Sequence, residues 1–120
     1  MEIVLQTTLK QIINGKGIGL HSGAEVNLRL LPSAAHYGIW FKRTDVPSKD
    51  NMIAAHFLNV SETKLCTTLS NEAGVSISTV EHLMAALYGC GIQNALIEVN
   101  GPEIPIWQGK PCQIGRFWPI

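Results

Sequence analysis

Thr79-Val80-Glu81-His82-Leu83-Met84-Ala85-Ala86-Leu87-Tyr88, residues 79–88, is the main stretch of this 120-residue chain with apolar side chains at helical spacing. Val80, Leu83, Met84 and Leu87 fall on one stripe, so the segment reads as a helix packed on a sheet through that face. Gly89 or Gly91 stops it. On either side the period changes to two. Val26, Leu28 and Leu30 alternate with Asn27 and Arg29, giving a half-buried strand that Pro32 ends. Gly38 to Arg43 makes a return strand with Ile39 and Phe41 on one side and Trp40 and Lys42 on the other. Asn94 to Asn100 alternates Ala95, Ile97 and Val99 against Leu96, Glu98 and Asn100.

The remaining segments are shorter. Leu5 to Ile13 reads as a strand, Ile53 to Leu58 as a short edge strand, and Thr63 to Ser70 as another strand. Val46 to Asp50 is loop. Asn71-Glu72-Ala73-Gly74 is a hairpin turn before Val75 to Ile77. Glu103 to Ile106, framed by prolines, is extended. Gly15, Gly17 and Gly19 recur at every second position, but Leu20 stands where the third glycine of a dinucleotide fingerprint would fall. Their expected use is a tight turn or a bulge. The fold class is α+β: a small mixed, mostly antiparallel sheet with one main helix on one face. Residues 1–106 form one domain, followed by a diverged or truncated tail over 107–120.

Composition excludes several functions. Nine basic residues balance nine acidic ones, and Lys42-Arg43 is the one adjacent basic pair, so there is no nucleic-acid footprint. No run of about twenty apolar residues is present to span a bilayer. The N-terminus lacks the pattern of a signal peptide. Cys66, Cys90 and Cys112 are odd in number and far apart, which points away from a disulfide framework and toward a reducing, cytoplasmic setting. Apolar residues make up 46% and charged residues only 15%. That balance points to apolar surface meant for a partner, with a deep core as the competing explanation.

The chemistry lies at the head of the helix. Glu81 beside His82 supplies a carboxylate that can take a proton from water and an imidazole that can hold a metal ion. One histidine does not make a zinc site, so the pair reads as half of an active site. The plain alternative is a capping box, with Ser78 three residues before Glu81 and each side chain satisfying an orphan backbone donor.

Five blocks extend this reading: Gly17-Ile18-Gly19-Leu20-His21-Ser22-Gly23, Phe41-Lys42-Arg43-Thr44-Asp45, Leu65-Cys66-Thr67-Thr68, Ser78 to Leu83, and Glu98 to Ile106. In this order and spacing, over roughly Leu5 to Ile106, they resemble the N-terminal half of the UDP-3-O-acyl-N-acetylglucosamine deacetylases. These are zinc enzymes of lipid A synthesis in Gram-negative bacteria. The resemblance implies one half of a two-domain sandwich, with UDP-3-O-acyl-N-acetylglucosamine as substrate of the complete enzyme and zinc as cofactor. Within it, His82 matches the first zinc ligand and Glu81 the general base. Leu65 and Cys66 match a stretch lining the substrate cleft, and His21 matches an auxiliary histidine near it. Cys66 filling a strand position and His21 finishing a turn are the plain alternatives.

The family's other two zinc ligands, a histidine and an aspartate, belong to its second domain, and no part of this chain corresponds to that domain. The zinc site is therefore incomplete here. The tail also departs from the family pattern. Gln108 stands where an acidic residue is expected, and Pro111 and Gly115 break any second helix. Loss of that helix implies an uncovered sheet face, hidden by a C-terminal domain partner or by a second copy of the chain. Two function classes follow: the N-terminal half of a deacetylase, and a catalytically inactive remnant or assembly module.

Overall fold

The computed structural model describes residues 6–47, 49–56, 59–62, 66–105 and 117–119. The strands are β1 (Thr7–Leu9), β2 (Ile13–Ile18), β3 (Glu25–Pro32), β4 (Ile39–Arg43), β5 (Met52–Ala54), β6 (Val60–Glu62), β7 (Thr68–Ser70) and β8 (Ser76–Ser78). The helix α1 (Glu81–Gly89) follows, then β9 (Ala95–Val99) and β10 (Phe117–Pro119). The mixed, mostly antiparallel sheet expected from the alternation is a five-stranded unit in the order β2-β3-β9-β4-β5, with β4 and β9 as its parallel pair. Two small antiparallel sheets accompany it, β6-β7-β8 and β1-β10.

Alternation sets the register. Leu30 lies opposite Ile97, Ile97 opposite Phe41, and Phe41 opposite Ile53. These four side chains form one row across the sheet, and none has measurable exposure. A one-residue slip would turn the whole row to water, which fixes the pairing. Val80, the residue just ahead of α1, and Leu83 and Leu87 within it join the same core cluster, with Met84 packed at its margin. The stripe read from the sequence is thus the buried face of the helix. Each large apolar side chain so buried contributes about 1.5–3 kcal/mol.

Several boundaries move. The strand expected over Leu5–Ile13 is broken by a bend at Lys10 and Gln11, and β2 begins only at Ile13. Gly15 and Gly17 therefore lie inside β2, opposite Leu28 and Val26, rather than in a turn or bulge. Ladder hydrogen bonds to β3 outweigh their weak strand preference. Only Gly19 reaches the turn, where Gly19 N–H donates to the Ala24 carbonyl and Gly23 turns at φ +70°. Of the strand expected over Thr63–Ser70, residues 63–65 lie outside the described residues, Cys66 sits in a bend and Thr68–Ser70 form β7.

The helix starts two residues later than expected, at Glu81, because Thr79 takes φ +61° and cannot be helical. It ends as expected for a glycine stop. Gly91, at φ +73°, donates to the Tyr88 carbonyl, while Ile92 donates to that of Leu87. This is the paired hydrogen bonding of a Schellman cap. The hairpin at Asn71–Gly74 also forms. Asn71 Oδ1 accepts from the N–H groups of Ala73 and Val75, and Gly74 takes φ +83°. In the tail, β10 pairs with β1, a strand outside those expected from the alternation. No helix among the described residues is long and apolar enough to cross a membrane.

Candidate active site

The loop between β8 and α1 places Glu81 and His82. Glu81 is the first residue of α1 and half-buried; His82 follows it and is exposed. The capping-box reading fails. The N-cap is Val80, with no side-chain hydrogen bond at the cap. Ser78 Oγ donates instead to the Pro102 carbonyl at 3.2 Å. The Glu81 carboxylate turns the other way, and its Oε2 accepts the backbone N–H of Thr67 at 3.1 Å. The Thr67 carbonyl in turn accepts the N–H of Thr79 at 2.9 Å. One residue of the loop before β7 thus grips the helix entrance on both sides.

Cys66 precedes Thr67 in the chain, so the same contact brings it beside the head of α1. It is partly buried, a free thiol 4.0 Å from Thr68 Oγ1. Leu65, the other cleft residue expected from the sequence, lies outside the described residues. His21 occupies the turn between β2 and β3 with its side chain exposed, and its backbone N–H donates to Glu103 Oε2 at 2.9 Å.

Glu103, which no motif in the sequence marks as a site residue, joins these parts. It is 3% exposed and carries four hydrogen bonds. Oε1 accepts from the N–H and Oγ of Ser22; Oε2 accepts from His21 N–H and Thr79 Oγ1. Burial pushes its pKa up, but the donors from His21, Ser22 and Thr79 outweigh burial and hold it below the ordinary carboxylate value. Glu103 also pairs in parallel with Ser78, through Ser78 N–H to the Pro102 carbonyl and Ile104 N–H to the Ser78 carbonyl. The available signal was a charged residue set between Pro102 and the apolar Ile104-Pro105-Ile106.

Thr79 is a β-branched residue at positive φ, a conformation that costs on the order of 1–3 kcal/mol and persists only where the surroundings over-determine it. Here its N–H is taken by Thr67 and its hydroxyl by Glu103.

Zinc is held by three or four donors from Cys, His, Asp and Glu. Among the described residues, no three such side chains gather closely enough to hold a metal ion. The exposed imidazole of His82 fits one position of such a set and does not fill it.

Comparison with known proteins places the chain in a family. Residues 6–113 match the family model described as UDP-3-O-acyl N-acetylglycosamine deacetylase. The chain is 55% identical over 109 residues to a UDP-3-O-acyl-N-acetylglucosamine deacetylase of Vibrio cholerae serotype O1, and 53% identical over 109 residues to those of Vibrio campbellii and Vibrio atlanticus. Each alignment covers 90% of this chain, which spans 35% of the length of these curated relatives.

Proposed function

This chain belongs to the UDP-3-O-acyl N-acetylglycosamine deacetylase family, and from that membership we propose that it forms the N-terminal part of a zinc-dependent amide hydrolase. The proposed reaction is hydrolysis of the acetamide of UDP-3-O-acyl-N-acetylglucosamine, in the cytoplasm, as a step of lipid A biosynthesis. The observation that carries the reading is the state of Glu81. Its carboxylate is anchored through Oε2 to Thr67 N–H rather than spent on capping its own helix, and it stands next to an exposed imidazole.

In this reading Glu81 is the general base, with Oε1 receiving the proton of the attacking water while Thr67 fixes the carboxylate's orientation. His82 supplies one metal ligand, and the portion of the family's length beyond this chain supplies the others. When bound, zinc lowers the pKa of a coordinated water and polarises the acetyl carbonyl. Cys66, brought to the helix entrance by its neighbour Thr67, lines the cleft on that side, and the turn bearing His21 borders it.

The test is a deacetylase assay at defined zinc, on this chain alone and mixed with a separately produced C-terminal portion of a family member. Turnover only in the mixture is expected. A folded mixture that binds substrate without turnover would contradict the proposal and favour the rival reading, a non-catalytic assembly module.

A further inference from the structure

Three segments far apart in sequence converge on one buried carboxylate. The turn at Gly19–Ser22, the residues Ser78 and Thr79 ahead of α1, and the extended segment at Pro102–Ile104 all meet at Glu103. The fit is tight. A Cβ on Gly19 would crowd Glu103 Oε1 and Ser22 Oγ, so any larger residue there must displace one of these side chains. Burying an anion is costly unless donors surround it. Here both oxygens are occupied by N–H and O–H groups.

A direct mechanical link then runs to Glu81. Glu103 holds the Thr79 hydroxyl, Thr79 at φ +61° gives its N–H to the Thr67 carbonyl, and Thr67 gives its own N–H to Glu81 Oε2. We propose that Glu103 is a positioning residue: by latching the His21 turn to the strained Thr79, it sets the direction in which the Glu81 carboxylate leaves the helix entrance. The relevance of this latch to catalysis rests on Glu81 being the base; the latch itself does not.

The Thr67 amide reports the geometry without any need for activity. Hydrogen exchange is measured residue by residue on the 120-residue chain, in wild type and in Glu103→Gln, Thr79→Gly and Thr79→Ser. Gln must present an NH2 to donors, which breaks the pattern at one oxygen. Gly relieves the positive φ while deleting the hydroxyl, so that variant folds without added strain. Ser keeps the hydroxyl. Glu103→Gln and Thr79→Gly are expected to speed exchange at Thr67 about tenfold or more, as a local opening, with the amides of Phe41 and Ile97 unchanged relative to it. Thr79→Ser is expected to match wild type. In the reconstituted deacetylase the first two variants should lower kcat about tenfold or more with KM nearly constant, as expected when a group is displaced at the reacting centre.

Wild-type exchange at Thr67 in a folded Thr79→Gly chain, or equal acceleration at every amide in both disruptive variants, overturns the latch. A wild-type mixture that is inactive while the exchange pattern holds refutes the proposed function and leaves the latch standing.

Discussion

The Glu81 carboxylate accepts its hydrogen bond from Thr67, fourteen positions earlier in the chain, rather than from the backbone of its own helix. This long-range contact separates Glu81 from an ordinary first-turn acid. It ties the start of α1 to the loop that carries Cys66, so the orientation of the side chain depends on tertiary structure.

The stability cost of losing that contact should be small. A net hydrogen bond contributes about 0.5–1.5 kcal/mol, so Glu81→Ala should lower the unfolding free energy by that amount, while Glu81→Gln, which keeps an accepting oxygen, should lower it less. Urea denaturation of the three chains measures the difference. A loss of several kcal/mol in Glu81→Gln would mean that the residue serves the fold.

Glu103 makes a pH-dependent contribution of definite sign. Its folded pKa lies below the unfolded value near 4.5, so the fold favours the charged form. The stabilisation is therefore complete above the unfolded pKa and is lost as pH falls through the folded pKa. The stability gap between wild type and Glu103→Gln should be widest at about pH 7 and should shrink by about pH 3, as linkage requires. Denaturant midpoints at the two pH values check this; a gap that widens in acid has the wrong sign.

Gly19→Ala tests the close approach at the turn. The added Cβ would crowd Glu103 Oε1 and Ser22 Oγ, and Glu103 is held by three further donors that resist its retreat. A loss of about 1–3 kcal/mol is expected, as for other overpacked sites. Thermal unfolding gives the value, and an unchanged midpoint would show that Glu103 yields freely.

Which parts of this were legible in the sequence follows from what sets each one. Strict alternation in Val26–Leu30 and Ala95–Val99 reports a sheet with one buried face, and these strands appear where expected, in register through Leu30, Ile97 and Phe41. The stripe of α1 was equally plain. Local signals misled where a long-range partner decided the outcome. Ser78 and Glu81 have capping-box spacing, yet Pro102 takes the Ser78 hydroxyl and Thr67 takes the Glu81 carboxylate. Gly15 and Gly17 look like turn residues, yet pairing with Leu28 and Val26 holds them in β2. Glu103 was invisible as an organising group because its donors, His21, Ser22 and Thr79, are 24 to 82 positions away.

Core and surface apolar residues should respond differently. Ile97→Ala removes a fully buried side chain from the central row and should cost about 2–5 kcal/mol. Leu20→Ala, at a position 60% exposed, should stay within about 0.5 kcal/mol. Comparable losses at both sites would contradict the assignment of the core.

The most direct test of the central claim is the turnover of Glu81→Gln in the reconstituted deacetylase, measured beside its melting temperature and beside His82→Ala. Glu81→Gln is expected to lose about two orders of magnitude or more in kcat, as for a missing general base, with an almost unchanged melting temperature. His82→Ala should lose zinc affinity together with activity. A Glu81→Gln enzyme that retains full turnover but melts early would contradict the role of Glu81 as general base and return it to a structural one.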